Sequence, residues 1–123
     1  MEINEITRKI IGCSIEVHRN LGPGLLESAY EECLAFELTK SGLNIRRQQA
    51  VPVVYKDIKL DCGYRIDILV ENSVVLELKV VDEFNPVHEA QILTYMKFAD
   101  KKAGLLINFN VTVLRNGIRR FVF

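Results

Sequence analysis

Tyr64-Arg65-Ile66-Asp67-Ile68-Leu69-Val70-Glu71-Asn72-Ser73-Val74-Val75-Leu76-Glu77-Leu78-Lys79-Val80-Val81 carries the strongest structural signal in the chain. Two runs of alternating apolar and polar residues, rich in Ile, Val and Leu, flank the polar Glu71-Asn72-Ser73, the pattern of a β-hairpin. A slip of one residue would turn a whole strand to the wrong face, so the register can be argued. With a three-residue loop, Val70 meets Val74, Ile68 meets Leu76 and Ile66 meets Leu78, making one aliphatic face. The other face then pairs Leu69 with Val75, Asp67 with Glu77 and Arg65 with Lys79.

Directly opposed residues have Cβ atoms roughly 5 Å apart, where like charges destabilise the pair. The two acids therefore need compensation by a divalent cation, a shared proton, or the flanking Arg65 and Lys79. Lys79 lies two residues beyond Glu77 and hence on its face, so two acids and a lysine converge.

Outward from the hairpin, Asp82 to Pro86 ends in Asn85-Pro86, a cap followed by a residue suited to a first helical turn, and predicts a helix to about Asp100. His88, Gln91 and Tyr95 share one side of it; they are either surface residues or, if that side faces the hairpin, site residues. Ala103 to Phe109 reads as a buried strand, and the intervening helix implies a parallel crossover. Asn116-Gly117 signals a hairpin turn before a last strand, Ile118 to Phe123, with Arg119 and Arg120.

On the amino-terminal side, Ile3, Ile6, Ile10, Cys13 and Val17 line one face of a helix to Asn20, widened by Ile11 and Ile15. His18 near its end suits the helix carboxyl terminus. After the breaker Asn20 to Gly24, a second helix is expected to begin with Pro23 in its initial turn and to run to Lys40, stopped by Gly42. Glu27, Tyr30, Leu34 and Leu38 share a face, in contrast to Glu31 and Glu37, which read as solvated. Glu27 is either a first-turn acid favoured by the helix dipole or a functional group. Asn44 to Gln49 reads as a solvated lead-in carrying Arg46 and Arg47, and Ala50 to Tyr55 and Ile58 to Cys62 as strands, the first irregular at Pro52.

The 123 residues fit one domain, 1–123, and 49 % hydrophobic content fits an ordered core. Lys plus Arg and Asp plus Glu both number 16, so bulk charge gives no attraction to nucleic acid, and phosphate affinity must come from local patches. Cys13, Cys33 and Cys62 are scattered through apolar patterns and read as buried thiols of a reducing compartment. With neither a signal-like segment nor a bilayer-length apolar run, a cytoplasmic location is expected and no membrane partner.

Asp67 followed by Glu77-Leu78-Lys79 resembles the signature of the PD-(D/E)XK nuclease superfamily, with Ile66 where the superfamily name has proline. Gly24-Leu25-Leu26-Glu27-Ser28-Ala29-Tyr30 is similar to the signature of its GxxExxY protein family, and Gln91-Ile92-Leu93-Thr94-Tyr95 to the Gln-x-x-x-Tyr motif of the RecB-like branch. The likeness spans Leu21 to Arg120. It implies an α/β fold (α+β by strand pairing) of restriction-endonuclease-like type, a central mixed β-sheet flanked by helices in the order α-α-β-β-β-α-β-β.

The resemblance also implies a chemistry: hydrolysis of DNA or RNA phosphodiesters by a metal-activated water. Asp67, Glu77 and the Leu78 carbonyl would hold Mg²⁺ or Mn²⁺, with Glu27 joining directly or through water. Lys79 would orient the water or stabilise developing charge, while Gln91, Tyr95 and Tyr30 would position the substrate. Two other functions fit the residues: a non-catalytic nucleic-acid-binding module using Arg46, Arg47, Arg119 and Arg120, and an interaction protein or homodimer using Phe121 to Phe123.

Overall fold

Alternating apolar residues build the centre of the molecule and helices close both of its faces. In the computed structural model, which describes residues 1–123, the chain runs through α1 (Ile3–Leu21), α2 (Glu27–Lys40), β1 (Ile45–Ala50), β2 (Val53–Tyr55), β3 (Ile58–Leu60), β4 (Arg65–Val70), β5 (Val74–Lys79), α3 (Pro86–Ala99), β6 (Ala103–Asn108) and β7 (Ile118–Val122). Five strands form a mixed sheet in the order β1-β4-β5-β6-β7, while β2 and β3 make a separate ribbon. Counting the sheet strands alone, the order is the expected α-α-β-β-β-α-β-β.

The β4–β5 hairpin holds the argued register next to its loop, with Val70 opposite Val74, Leu69 opposite Val75 and Ile68 opposite Leu76, while the expected pairs Asp67–Glu77, Ile66–Leu78 and Arg65–Lys79 do not form in the ladder. Glu71 and Asn72 take positive φ in the loop, and the Ser73 N–H closes it on the Val70 carbonyl at 2.9 Å. Ile68, Val70, Val74, Leu76 and Leu78 pack with α1 and α2, whereas Leu69, Val75 and Leu106 pack with Ile92, Tyr95 and Met96 of α3. Ile66 departs from its expected side and joins the α3 cluster. The cause is local: Gln48, across from Asp67 in β1, has φ 52°, and the β4–β5 ladder stops at Ile68–Leu76. Regular alternation is therefore lost at Asp67.

After α3 the chain returns beside β5, and β6 pairs with it in parallel from Val74–Ala103 to Lys79–Asn108. Asn85 caps α3 by accepting from the Val87 and His88 N–H groups, and His88 Nδ1 answers by accepting from the Asn85 N–H. Where α3 crosses β6 the strand carries Gly104. A Cβ there would lie 2.7 Å from Met96 Sδ and 3.1 Å from Ile92 Cδ1.

Several expectations are corrected. The polar Ile45–Ala50 is not a lead-in but an edge strand of the main sheet, because its backbone bonds to β4 need no apolar side chain. The segments on either side of Lys56-Asp57 form the outlying ribbon instead. Helix α2 begins at Glu27, leaving Pro23 in the preceding loop, where Gly24 holds φ 100°. Asn116-Gly117 ends a 3₁₀ turn inside a longer β6–β7 connection; Gly117 is required by closeness, since a Cβ would sit 2.3 Å from the Asn108 carbonyl oxygen. His18 reaches away from its own helix end, with Nε2 2.7 Å from the Val111 carbonyl oxygen. Ile15 is exposed, and of the cysteines Cys13 is buried, Cys33 half-buried and Cys62 exposed. Phe121 packs against the α3 cluster while Phe123 is exposed.

Candidate active site

Where the β4–β5 ladder opens, the two acids take the place of the missing backbone bonds. Glu77 Oε2 accepts the Asp67 N–H at 2.9 Å, and Asp67 Oδ2 accepts the Leu78 N–H at 2.8 Å. Each carboxylate thus satisfies an amide that regular pairing would have used, which holds both acids between the strands. One oxygen of each acid stays outside these two bonds.

Burial makes this arrangement electrostatically tense. Glu77 is 4 % exposed, and desolvation, then the charge of Asp67, pushes its carboxyl up to about 8. Asp67 is also raised, chiefly by burial, against the Leu78 N–H and the Lys79 charge, which favour its ionised form. Both carboxyls are thus raised, and because each feels the other they release their protons as a pair rather than independently. Without a cation, a shared proton is what relieves the repulsion.

Lys79 is held on the α3 side. Its Nζ donates to Gln91 Oε1 at 3.0 Å, and Gln91 Nε2 donates to the Tyr95 hydroxyl oxygen at 3.2 Å. Gln91 and Tyr95 therefore face the hairpin. Burial, then the charge of Glu77, raises the Tyr95 hydroxyl above its ordinary value.

Glu27 comes from the other layer, at the first position of α2. Its carboxyl is raised by burial first and by Asp67 second, while Lys79 lowers it, although the residue as a whole is solvent-exposed. It shares the field of the pair without joining it: no three Asp, Glu, His or Cys side chains gather closely enough to enclose a metal on their own. Two hard carboxylates with spare oxygens and a single nearby lysine nevertheless suit a small divalent cation completed by water and phosphate oxygens.

Three sequence readings change. Tyr30 is fully buried, stacked on Phe109 at 4.5 Å, and its hydroxyl donates to the Gly22 carbonyl at 2.5 Å and accepts the Leu25 N–H at 3.2 Å. It anchors the turn before Glu27 and cannot touch a substrate. Glu31 is not a solvated acid: it accepts from Arg47 Nε and Nη2 at 3.0 and 2.8 Å and from Gln48 Nε2 at 2.8 Å. Its charge also raises Asp67, and the Gln48 amide lies near enough to favour the Asp67 carboxylate. The spacing of Glu31 four residues after Glu27 was the available signal. Finally, Arg46 and Arg47 lie on β1 and Arg119 and Arg120 on β7, opposite edges of the sheet, so they form no common basic patch.

A mixed sheet carrying two acids and a lysine on its opened central hairpin is the frame of the restriction-endonuclease-like nucleases. A family profile described as the PD-(D/E)XK nuclease superfamily matches residues 4–121, and the chain belongs to that superfamily. Nucleases of this type act on nucleic acid and generally use divalent metals. No curated protein and no solved structure matches the chain. No helix is long and apolar enough to cross a membrane.

Proposed function

We propose that the protein is a Mg²⁺- or Mn²⁺-dependent phosphodiesterase that hydrolyses DNA or RNA, of the GxxExxY family within the RecB-like branch. The observation that carries this reading is the exchange between Asp67 and Glu77, each bonded to a backbone amide across the opened ladder, with Lys79 beside them. No structural need calls for a buried acid and a half-buried one side by side there; apolar residues would pair the strands without the electrostatic penalty.

Asp67 and Glu77 would hold the cation with the Leu78 carbonyl, and Glu27, at the first position of α2, would join directly or through water. When bound, the cation supplies charge to the phosphoryl oxygen and lowers the pKa of the attacking water. Lys79, fixed by Gln91, would orient the water or stabilise the negative charge that develops on the phosphoryl oxygens. Tyr95 fixes Gln91 in turn, so these two act as positioning residues. Tyr30 acts through Glu27 by bracing the turn that starts α2.

Incubation with end-labelled single- and double-stranded DNA and RNA, with either metal and with chelator, tests the reading. Metal-dependent cleavage abolished by Asp67→Asn and Glu77→Gln is expected. Cleavage that persists in the double variant would refute it.

A further inference from the structure

Beside Lys79, Gln91 and Tyr95 opens a cleft of about 360 Å³ that none of the proposed chemistry uses. Val53 and Tyr64 line it on one side; Val87, Ala90, Thr94 and Phe98 of α3 line it on the other. No charged residue contributes, so it offers phosphate nothing. Gln91 and Tyr95 belong to its wall, which makes it continuous with the candidate site. Tyr64 is 46 % exposed, and its ring lies 6.2 Å from that of Tyr95 at 53°, leaving a free aromatic face at the mouth.

We propose that this cleft takes an unpaired nucleobase of the substrate strand, stacked on Tyr64, and that the substrate is therefore single-stranded at the point of cleavage. The inference rests on the nuclease reading and deepens it. Tyr64 precedes Asp67 by three residues, about 10 Å along a strand, the reach of one or two nucleotides from a phosphate at the acids. An uncharged, aromatic-lined recess with a few polar groups matches the chemistry of a base: a flat π-face with hydrogen-bonding edges. A duplex keeps its bases stacked on one another and has none to give. Gln91, Thr94 and the Tyr95 hydroxyl supply the polar edge, and Tyr64 the stacking face.

The test is fluorescence anisotropy of a labelled 15-nucleotide oligothymidylate, its duplex with oligodeoxyadenylate, and a version with abasic positions, in chelator so that nothing is cut. Wild type should bind the single strand more tightly than the duplex and lose affinity for the abasic strand. Tyr64→Ala should weaken single-strand binding by ~5- to ~150-fold, the range for one base–aromatic stack, and Tyr64→Phe should not. Phe36→Ala, an exposed aromatic on α2, serves as the unaffected control. Equal affinity for strand and duplex, or unchanged binding by Tyr64→Ala, would overturn the proposal. So would a dimer in light scattering that Tyr64→Ala dissolves while strand binding persists, since a second copy would then fill the cleft. Strand binding that depends on Tyr64 in a protein that never cleaves would refute the nuclease reading alone. Cleavage of both substrates with KM indifferent to Tyr64→Ala would refute the cleft alone.

Discussion

Replacing Glu77 by Gln should free the metal-free protein from a strong pH dependence of its stability. Glu77 is buried and its carboxyl is raised from 4.5 to about 8, so the folded chain holds this proton more tightly than the unfolded chain does. The resulting stabilisation is fully present below pH 4.5 and declines as pH rises toward 8. At ~1.4 kcal/mol per pH unit, moving from about pH 5.5 to 8.5 removes on the order of 3 kcal/mol. That is a large part of the ~5–15 kcal/mol that holds a typical domain together. Gln keeps an oxygen to accept the Asp67 N–H and carries no charge, so Glu77→Gln should hold its stability across the range and exceed wild type at pH 8.5. Urea denaturation followed by circular dichroism in chelator reads this directly. The wild-type midpoint should fall by roughly 1–3 M relative to the variant over that interval. A wild-type midpoint that stays level, or a variant that falls just as steeply, would refute the account of the acid pair.

Adding millimolar Mn²⁺ at pH 8 should raise the wild-type melting temperature and leave Glu77→Gln little changed, because a cation stabilises the state that binds it; differential scanning fluorimetry checks this. Asp67→Ala should destabilise by ~1–3 kcal/mol more than Asp67→Asn, because alanine strands the buried Leu78 N–H, a difference visible in urea midpoints. Gln91→Ala should lower kcat on oligonucleotides by ~10²-fold through loss of Lys79 alignment, with KM little altered. Tyr30→Phe keeps the stack on Phe109 but loses the Gly22 bond, so thermal unfolding should show a loss of about 1 kcal/mol.

The register of the central hairpin was legible from Val70–Val74 to Ile68–Leu76 because side-chain alternation and loop length constrain it independently, and Asp67 and Glu77 stand just past the last of these pairs. What the two acids do there was not legible. A pattern of apolar and polar letters says which face a residue takes, not whether its carboxylate will replace a ladder bond, and that replacement goes with the end of the pairing at Ile68–Leu76 and the departure of Ile66 to the α3 side. The polar β1 escaped detection for a related reason: Arg46, Arg47, Gln48 and Gln49 contribute little to the core, and the strand is held by backbone bonds to β4. Tyr30 shows the opposite error. A motif tyrosine invites a functional role, yet only three-dimensional packing against Phe109 reveals that its hydroxyl is taken.

Gly104 touches neither acid nor lysine, yet it governs how near α3 can lie to β6. The gap left by its absent side chain admits Met96 and Ile92, and Gln91 is their neighbour on the same helix. Even one added methyl group would lever that helix outward, and the amide would lose its grip on the ammonium group before any reacting atom had changed. A silent position in a buried strand thus acts as a spacer for the chemistry, and a chain could forfeit its activity there while every motif residue remained intact.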